Sequence, residues 1–403
     1  MARADDHIDD PDFLVRLRHD LHAHPELGFE EERTGRIVRE RLEEAGIAVT
    51  AGLGGTGLVG TLQAGNGHRR IALRADMDAL AMRETAADRP HRSTVDGRMH
   101  ACGHDGHTVM LLGAARALAR SRSFSGTVHF IFQPAEEGRG GAQAMVADGF
   151  FERFPVDAVY GLHNMPGLAV DEIAVVEGPQ LASSDRWHVT FRGEGTHGAK
   201  PHLGRDAVTA AGQFLTALHT VVARRVDPLQ PAVVSACALQ AGDFAALNVI
   251  PDEVMIGGTA RAYSAQVREQ VEAEIGRLAQ GTAAMYGIAC DYRYLRQIPP
   301  VINDADATRR ALAAARAAAA TVRTNFPPST AGDDFAVFSG RVPGCYVWLG
   351  NGPAEDGALH HNSRYDFNDA AIPTGVRFWT ALVEQELAGD APQGSALGEP
   401  SGQ

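Results

Sequence analysis

No stretch of the 403-residue chain approaches the roughly 20 consecutive apolar residues that a membrane helix requires. The opening MARADDHIDDPDF is acidic and has no apolar run behind a basic end, so neither export nor membrane insertion is indicated and a cytoplasmic protein is expected. Basic residues are in deficit: 37 Lys plus Arg against 50 Asp plus Glu leave a formal net charge of -13. Such a surface repels phosphate backbones and anionic lipid, which argues against nucleic acid as a partner. Cysteine is scarce as well. Cys102, Cys237, Cys290 and Cys345 are too few and too scattered for the disulfide framework of a small secreted domain, and a reducing compartment fits them.

What is present is enough apolar side chain, 44% of the residues, to build a real core, and the length suits two or three domains at about 150 residues each. Strand-like and helix-like runs alternate from the start: GLVGTLQA, RRIALRAD, HTVMLLGAARALAR, GTVHFIFQP, GGAQAMVADG and VDAVYGLH. That alternation predicts an α/β catalytic domain with a mostly parallel sheet flanked by helices. From Trp187 the texture changes to WHVTFRGEG, a helix-like run from Asp206 to Val226, the strands PAVVSACALQAG and DEVMIGGTARAY, and a helix from Ala265, which reads as an inserted smaller α+β domain. The Ala-rich run from Ala305 to Thr321, the strand GCYVWLG and a helix after Pro373 resume the first pattern. The expected boundaries are residues 1–184 and 297–388 for the two parts of the catalytic domain and 185–296 for the insert. Residues 389–403, rich in Gly, Pro and Ser, form an expected flexible tail.

Polar clusters follow the strand-like runs, where α/β sheets gather their ligands. HACGHDGH (100–107) sets Cys102 and His104 two apart, so that both side chains face one side of an extended loop. A lone Cys-x-His would read as a buried thiol and a loop histidine, but three histidines and an Asp within eight residues point to a transition metal. FQPAEEG ends an apolar strand with Glu136 and Glu137. Adjacent acids usually mark a solvated turn, but here burial would be costly without cations, and one acid can bind metal while the other handles protons. GLHN brings His163 directly after a strand, and HHNSRYDFND offers His360 and His361. LHAHPELGF, with His19, His22 and His24, also resembles a metal cluster, and a helix-to-turn structural role through Pro25 is preferred for it. His197 and His202 lie in the insert, where they either cap a loop or reach a site across an interface.

Taken in order, RADMDALAMRE (74–84), HACGHDGH, FQPAEEG, GLHN, GEGTHGAKPHLGRDA, NVIPDEVMIGGTAR (248–261) and HHNSRYDFND resemble the motifs of the M20D amidohydrolases, the group of hippurate hydrolases, aminoacylases and auxin-conjugate hydrolases. The resemblance runs from LHAHPELGFEEERTG to the helix after Asn368. It implies a metal-dependent amidohydrolase acting on small N-acyl amino acids, with two divalent ions (Zn, Mn, Ni or Co) held by Cys102, His104, Glu137, His163 and His361. Glu136 would be the general base. His197 would reach the partner subunit's site as an oxyanion donor, making a homodimer through the inserted domain part of catalysis. Asn248 and Arg261 would hold the substrate carboxylate, with a structural strand Arg as the alternative for Arg261. Asp76 and Asp78 would support the ligands from behind. Two departures are mild: Ala81 stands where a Pro commonly follows DAL, and Asp333-Asp334 stands where Glu-Asp is frequent. A dipeptidase or carboxypeptidase on the same site is the second enzymatic reading, and a catalytically silent ligand-binding homologue the third, with the Glu136-Glu137 pair arguing against silence.

Overall fold

The computed structural model describes residues 11–355 and 359–388, so the tail expected from Gly389 lies outside the described residues. The chain forms two compact units, one made of Met1–Val176, Ala305–Asn325 and Val342–Gln403, the other of Glu177–Asp304 and Phe326–Arg341. Phe326–Arg341, which the sequence assigned to the catalytic domain's second part, clusters with the second unit because its backbone is bonded there. Ser329 N–H donates to Gln180 O at 2.8 Å and Ala182 N–H donates to Ser329 O at 3.2 Å.

In the first unit the sheet strands are β1 (Ala48–Leu53), β2 (Gly57–Ala64), β3 (Arg70–Asp76), β4 (Gly126–Gln133), β5 (Ala158–Met165) and β6 (Glu172–Ala174), joined later by Thr321–Arg323 and Gly344–Gly350. Their order is β1-β2-β4-β3-β5, then Gly344–Gly350, β6 and Thr321–Arg323. β4, β3, β5 and Gly344–Gly350 run parallel to one another. β1 and β2 continue the sheet antiparallel at one side, and β6 lies antiparallel to Gly344–Gly350 at the other. The parallel strands are buried along almost their whole length, as expected of a sheet covered by helices on both faces. The expected mostly parallel sheet is present. The strand β1 has too little β-branched or aromatic content to announce itself in the sequence.

Helices α1 (Pro11–Ala23), α2 (Glu32–Glu44) and α3 (His104–Ser121) cover the sheet together with Ala305–Ala318 and Ile372–Glu386. Val109, Met110, Leu111 and Leu112 on consecutive positions of α3 are all buried, so this helix is enclosed on every side rather than amphipathic. Two glycines set where it starts. Gly103 precedes it with φ 96°, a left-handed conformation, and a Cβ on Gly106 would come within 2.3 Å of the Phe367 ring.

The second unit is a four-stranded antiparallel sheet in the order Ala232–Ala241, Glu253–Ala262, Ser184–Arg192, Ala289–Ile298. Trp187, Val189 and Phe191 alternate along their strand into a core shared with Ala211 and Phe214 of the helix Ala207–Leu218 and with Val271 and Ile275 of the helix Ala265–Tyr286. This is the α+β texture expected of the insert. The helix-like run from Asp206 divides at His219 into two helices, the first capped by the Asp206 carboxylate, which accepts from Val208 N–H and Thr209 N–H. Among the described residues no helix is long and apolar enough to cross a membrane.

His129 on β4 is buried, and its Nδ1 lies 3.0 Å from Thr61 Oγ1. Burial, helped by the charge of Arg70, pushes its pKa down to about 4. A depressed folded-state pKa means that neutral His129 contributes its stability in full above the unfolded value of about 6.5 and loses it as pH falls towards 4. A His129→Gln protein is therefore expected to lose less Tm than wild type between pH 7 and pH 5, each measured against its own neutral value. Parallel Tm–pH curves would clear His129 of that role.

Candidate metal centre

Parallel pairing brings the strand ends together. Asp76 sits opposite Gln133 across β3 and β4, and β5 flanks β3 on its other side, so the segments leaving these strands converge on one edge of the sheet. Asp76 closes β3 with Asp78 just beyond it, Glu136 and Glu137 follow β4, and His163 lies in β5. α3 opens at His104 with Cys102 just ahead of it. His361 N–H donates to Ala101 O at 2.8 Å, which ties the later histidine loop to the Cys102 segment.

The five side chains expected to bind metal meet here. Donor atoms of Cys102, His104 and His163 lie within 4.8 Å of one another, as do those of Cys102, Glu137 and His361, and Cys102 is common to both groups. Glu136 joins His104 and Glu137 in a third group of the same size. Cys102 Sγ is 3.3 Å from His163 Nε2, and His361 Nε2 is 3.1 Å from Glu137 Oε1.

The histidine tautomers suit cation binding. His104 Nδ1 bonds the carbonyl of Asp78 at 2.8 Å and His163 Nδ1 bonds the carbonyl of Asn164 at 2.8 Å. Both rings therefore carry the proton on Nδ1 and turn the Nε2 lone pair into the cluster. His104 Nε2 and Glu137 Oε1 are buried yet make no well-aligned hydrogen bond among the described residues. Buried polar atoms without a well-aligned hydrogen bond are costly, and a divalent ion is the partner that thiolate, imidazole and carboxylate share. The residues fit the ions that the sequence implies.

Electrostatics divide the histidines. Burial pulls the His104 pKa down, but the charges of Asp76, Asp78 and Glu137 and the hydrogen bond to Asp78 outweigh it and leave the group raised to about 10. Burial, with His107 and His360 nearby, holds His163 well below the ordinary range. The two faces of the cluster thus prefer opposite charge states without an ion, and a cation at His104 would replace its proton.

Asp76 and Asp78 take supporting positions. Asp78 Oδ1 accepts from Glu136 N–H and Asp78 Oδ2 from Glu137 N–H, each at 3.0 Å. Asp76 accepts from Arg74 at 2.7 Å and meets His107 Nδ1 at 2.6 Å, while His107 Nε2 meets Asn164 Oδ1 at 2.8 Å. Tyr365 joins this network through its hydroxyl, which accepts from the Asn164 side-chain amide at 2.5 Å; sequence reasoning did not single out His107, Asn164, Arg74 or Tyr365. For His107 a signal existed: it stands three residues after His104 on α3, which puts both rings on one face.

His19, His22 and His24 belong to none of the donor clusters among the described residues. Beyond a helix-to-turn role, His22 is buried and its Nδ1 meets Asp105 Oδ2 at 2.9 Å. Arg18 donates to Asp366 at 2.7 Å and to Asp105 at 3.4 Å, so α1 braces the start of α3 beside His104.

The remaining candidates lie in the second unit. His197 is exposed in a short strand paired with Val249, and its Nδ1 accepts from Ala199 N–H at 3.1 Å. Asn248 is exposed and its carbonyl accepts from Gly198 N–H at 2.7 Å. Arg261 is half-buried on its strand and donates to Ala260 O at 3.0 Å and to the Thr259 hydroxyl.

A family model described as peptidase family M20/M25/M40 matches residues 72–385. The chain belongs to this family. As an M20 protein it is a hydrolase acting on amide bonds. N-acetylcysteine deacetylase of Bacillus subtilis is 38% identical over 373 residues, 92% of this chain and 96% of the relative. Hippurate hydrolase of Campylobacter jejuni is 38% identical over 374 residues, with 92% and 96% covered. Among solved structures, the YXEP protein of Bacillus subtilis, a dinuclear metal-binding peptidase of the M20 family, superposes with a TM-score of 0.82 at 35% identity over 94% of this M20 chain and 98% of that one.

Because Cys102 is shared by both donor groups, Cys102→Ala is expected to lower bound divalent metal well below half of the wild-type stoichiometry, read by mass spectrometry of metals on the folded protein. Full wild-type metal content in that variant would remove Cys102 from the ligand set.

Proposed function

We propose that this M20 protein hydrolyses N-acyl amino acids, aliphatic or hippurate-like, to a carboxylic acid and a free amino acid. The observation that carries the reading is the convergence of Cys102, His104, Glu137, His163 and His361 in two overlapping donor groups with Glu136 beside them. The names of the two 38% identical relatives, a deacetylase and a hippurate hydrolase, support the substrate class. Those five side chains would hold two divalent ions, Zn, Mn, Ni or Co. Such ions, when bound, acidify a water and polarise a carbonyl.

The chain's own residues do the rest. Glu136 is buried, and its backbone is held by Asp78, which fixes the carboxylate beside the cluster. From there it takes the proton of the attacking water and passes it to the departing amine. Asp76 sets the orientation of His107, and Asp78 that of His104 and of the Glu136-Glu137 backbone.

The first unit is read as the catalytic domain and the second as a lid and dimerisation domain. Leu239, Phe244 and Leu247 are 57%, 94% and 80% exposed on the second unit, an apolar load that supports burial against a second copy. In that homodimer His197, with Nε2 directed away from its bond to Ala199, donates to the developing oxyanion of the partner's site. Asn248 and Arg261 hold the substrate carboxylate, Arg261 leaving its bonds to Ala260 and Thr259 to do so. The cytoplasm, where thiols stay reduced, is the compartment this reading assigns.

Chelator-stripped enzyme is expected to regain cleavage of N-acetyl or N-benzoyl amino acids when one of these four metals is added, and to prefer them to dipeptides. Preference for dipeptides would move the assignment to a peptidase, and silence with every metal would defeat the substrate class. In the reloaded enzyme, Glu136→Gln should keep its metal and lose turnover by about 10²–10⁴-fold; wild-type rates would exclude Glu136 as the base.

Sedimentation should show a dimer that Leu247→Asp weakens. Mixing inactive Glu136→Gln with inactive His197→Ala chains should restore activity, because a mixed dimer contains one intact site. No recovery in mixed dimers would place His197 outside the partner's site.

A further inference from the structure

The segment between β4 and the acidic pair is held in a conformation that its own sequence disfavours. Ala135 has φ 54°, a left-handed value rare for a residue bearing a Cβ. There the chain turns so that two successive amides, those of Glu136 and Glu137, both reach the Asp78 carboxylate. Asp78 holds the segment from one side, and something must hold Ala135 from the other.

Glu31 does so. It is fully buried, and its Oε1 accepts from Ala135 N–H at 2.8 Å while Oε2 accepts from the Thr56 hydroxyl at 2.5 Å. Glu31 occupies the N-cap position of α2, where a short polar side chain would normally accept from the first turn of the helix, yet it makes no such bond. Glu26 takes over that duty, accepting from Arg33 N–H at 2.9 Å and Thr34 N–H at 2.8 Å. The Glu31 carboxylate is thereby released to reach across to the segment after β4. Gly28 completes the seat, since a Cβ there would come within 2.9 Å of Ala135 Cα. A carboxyl buried this deeply is expensive, and burial, with the charge of Asp78 adding to it, pushes its pKa up to about 7 despite the Thr56 bond. α2 has no need of it.

We propose that Glu31 is a positioning residue for Glu136: by holding Ala135 in its left-handed conformation, it fixes the direction in which the Glu136 carboxylate meets the substrate. The assignment rests on the reading of Glu136 as the general base. It also gives a role in the reaction to the LHAHPELGFEEERTG segment, whose residues belong to none of the donor groups among the described residues.

The test is a double-mutant cycle in metal-loaded, full-length enzyme, with kcat and KM for an N-acyl amino acid measured beside metal content and Tm. Glu31→Ala is expected to lower kcat about 10- to 100-fold, the scale of a misplaced catalytic group, with KM within about twofold and metal content unchanged. Glu31→Gln, whose amide oxygen can still accept from Ala135 N–H, should recover most of that loss. In the Glu136→Gln background, Glu31→Ala should cost less than about twofold, because a group that acts only through the base has nothing left to position.

Wild-type kcat in Glu31→Ala would overturn the proposal, and so would an equal further loss in the Glu136→Gln background. A near-wild-type rate in Glu136→Gln alone would instead overturn the base assignment, which separates the two failures. Should Glu31→Ala not fold, Thr56→Val, which removes only the hydroxyl that holds the carboxylate, is expected to lower kcat several-fold at unchanged metal content. No change there would overturn the proposal equally.

Discussion

One carboxylate organises the centre. Asp78 accepts the N–H groups of both Glu136 and Glu137, while its own backbone carbonyl fixes His104. Three groups contributed by different parts of the chain are thereby referred to a single residue at the end of β3. A charge buried this far from water is tolerated only when it is fully hydrogen-bonded or paired, and Asp78 meets that condition by accepting the very amides of the acidic pair. Disturbing it would release a buried charge and the geometry of the acidic pair together.

Around that point the protein maintains a layered charge balance. Asp76 is matched by Arg74 and His107, and Asp105 by His22 and Arg18. Each pairing is buried, and breaking one partner away in such surroundings costs far more than the pair contributes to stability. Stiffness is the return. His104, His107 and Asp105 all sit in the first turn of α3, whose start is set by the left-handed Gly103 and by the close approach of Gly106 to Phe367. Of the candidate ligands, His104 is carried on this helix end and His163 on a strand, while Cys102, Glu137 and His361 lie in the short segments beside them, so the cluster is anchored on rigid elements.

The two units divide the chemistry. The first gathers every candidate metal ligand and Glu136, the proposed base, and the second carries His197 on a short strand, Asn248 beside it and Arg261 on the strand Glu253–Ala262. The second unit is also where large apolar side chains stand in water, Phe244 and Leu247 foremost. Exposed apolar side chains of this size are what the proposed pairing with a second copy would cover.

The sequence by itself determined the layer architecture and the insert, because apolar periodicity acts over a few residues and needs no partner to be recognised, while motifs such as HACGHDGH, FQPAEEG and GLHN offered candidate side chains that the structure brings into the donor groups. It also showed that an acidic pair after an apolar strand must be compensated. It could not show what holds that segment in place: Asp78 lies 58 residues from Glu136, and Glu31 lies 104 from Ala135. The buried pairing of His22 was equally hidden, because its partner, Asp105, is 83 residues away. Phe326–Arg341 looked like part of the catalytic domain because its attachment runs through backbone bonds to Gln180 and Ala182. Hydrogen bonds to backbone amides carry no side-chain signature, and parallel strands bring their ends together only after long crossovers. Tertiary structure alone therefore decided which residues hold the reactive groups still.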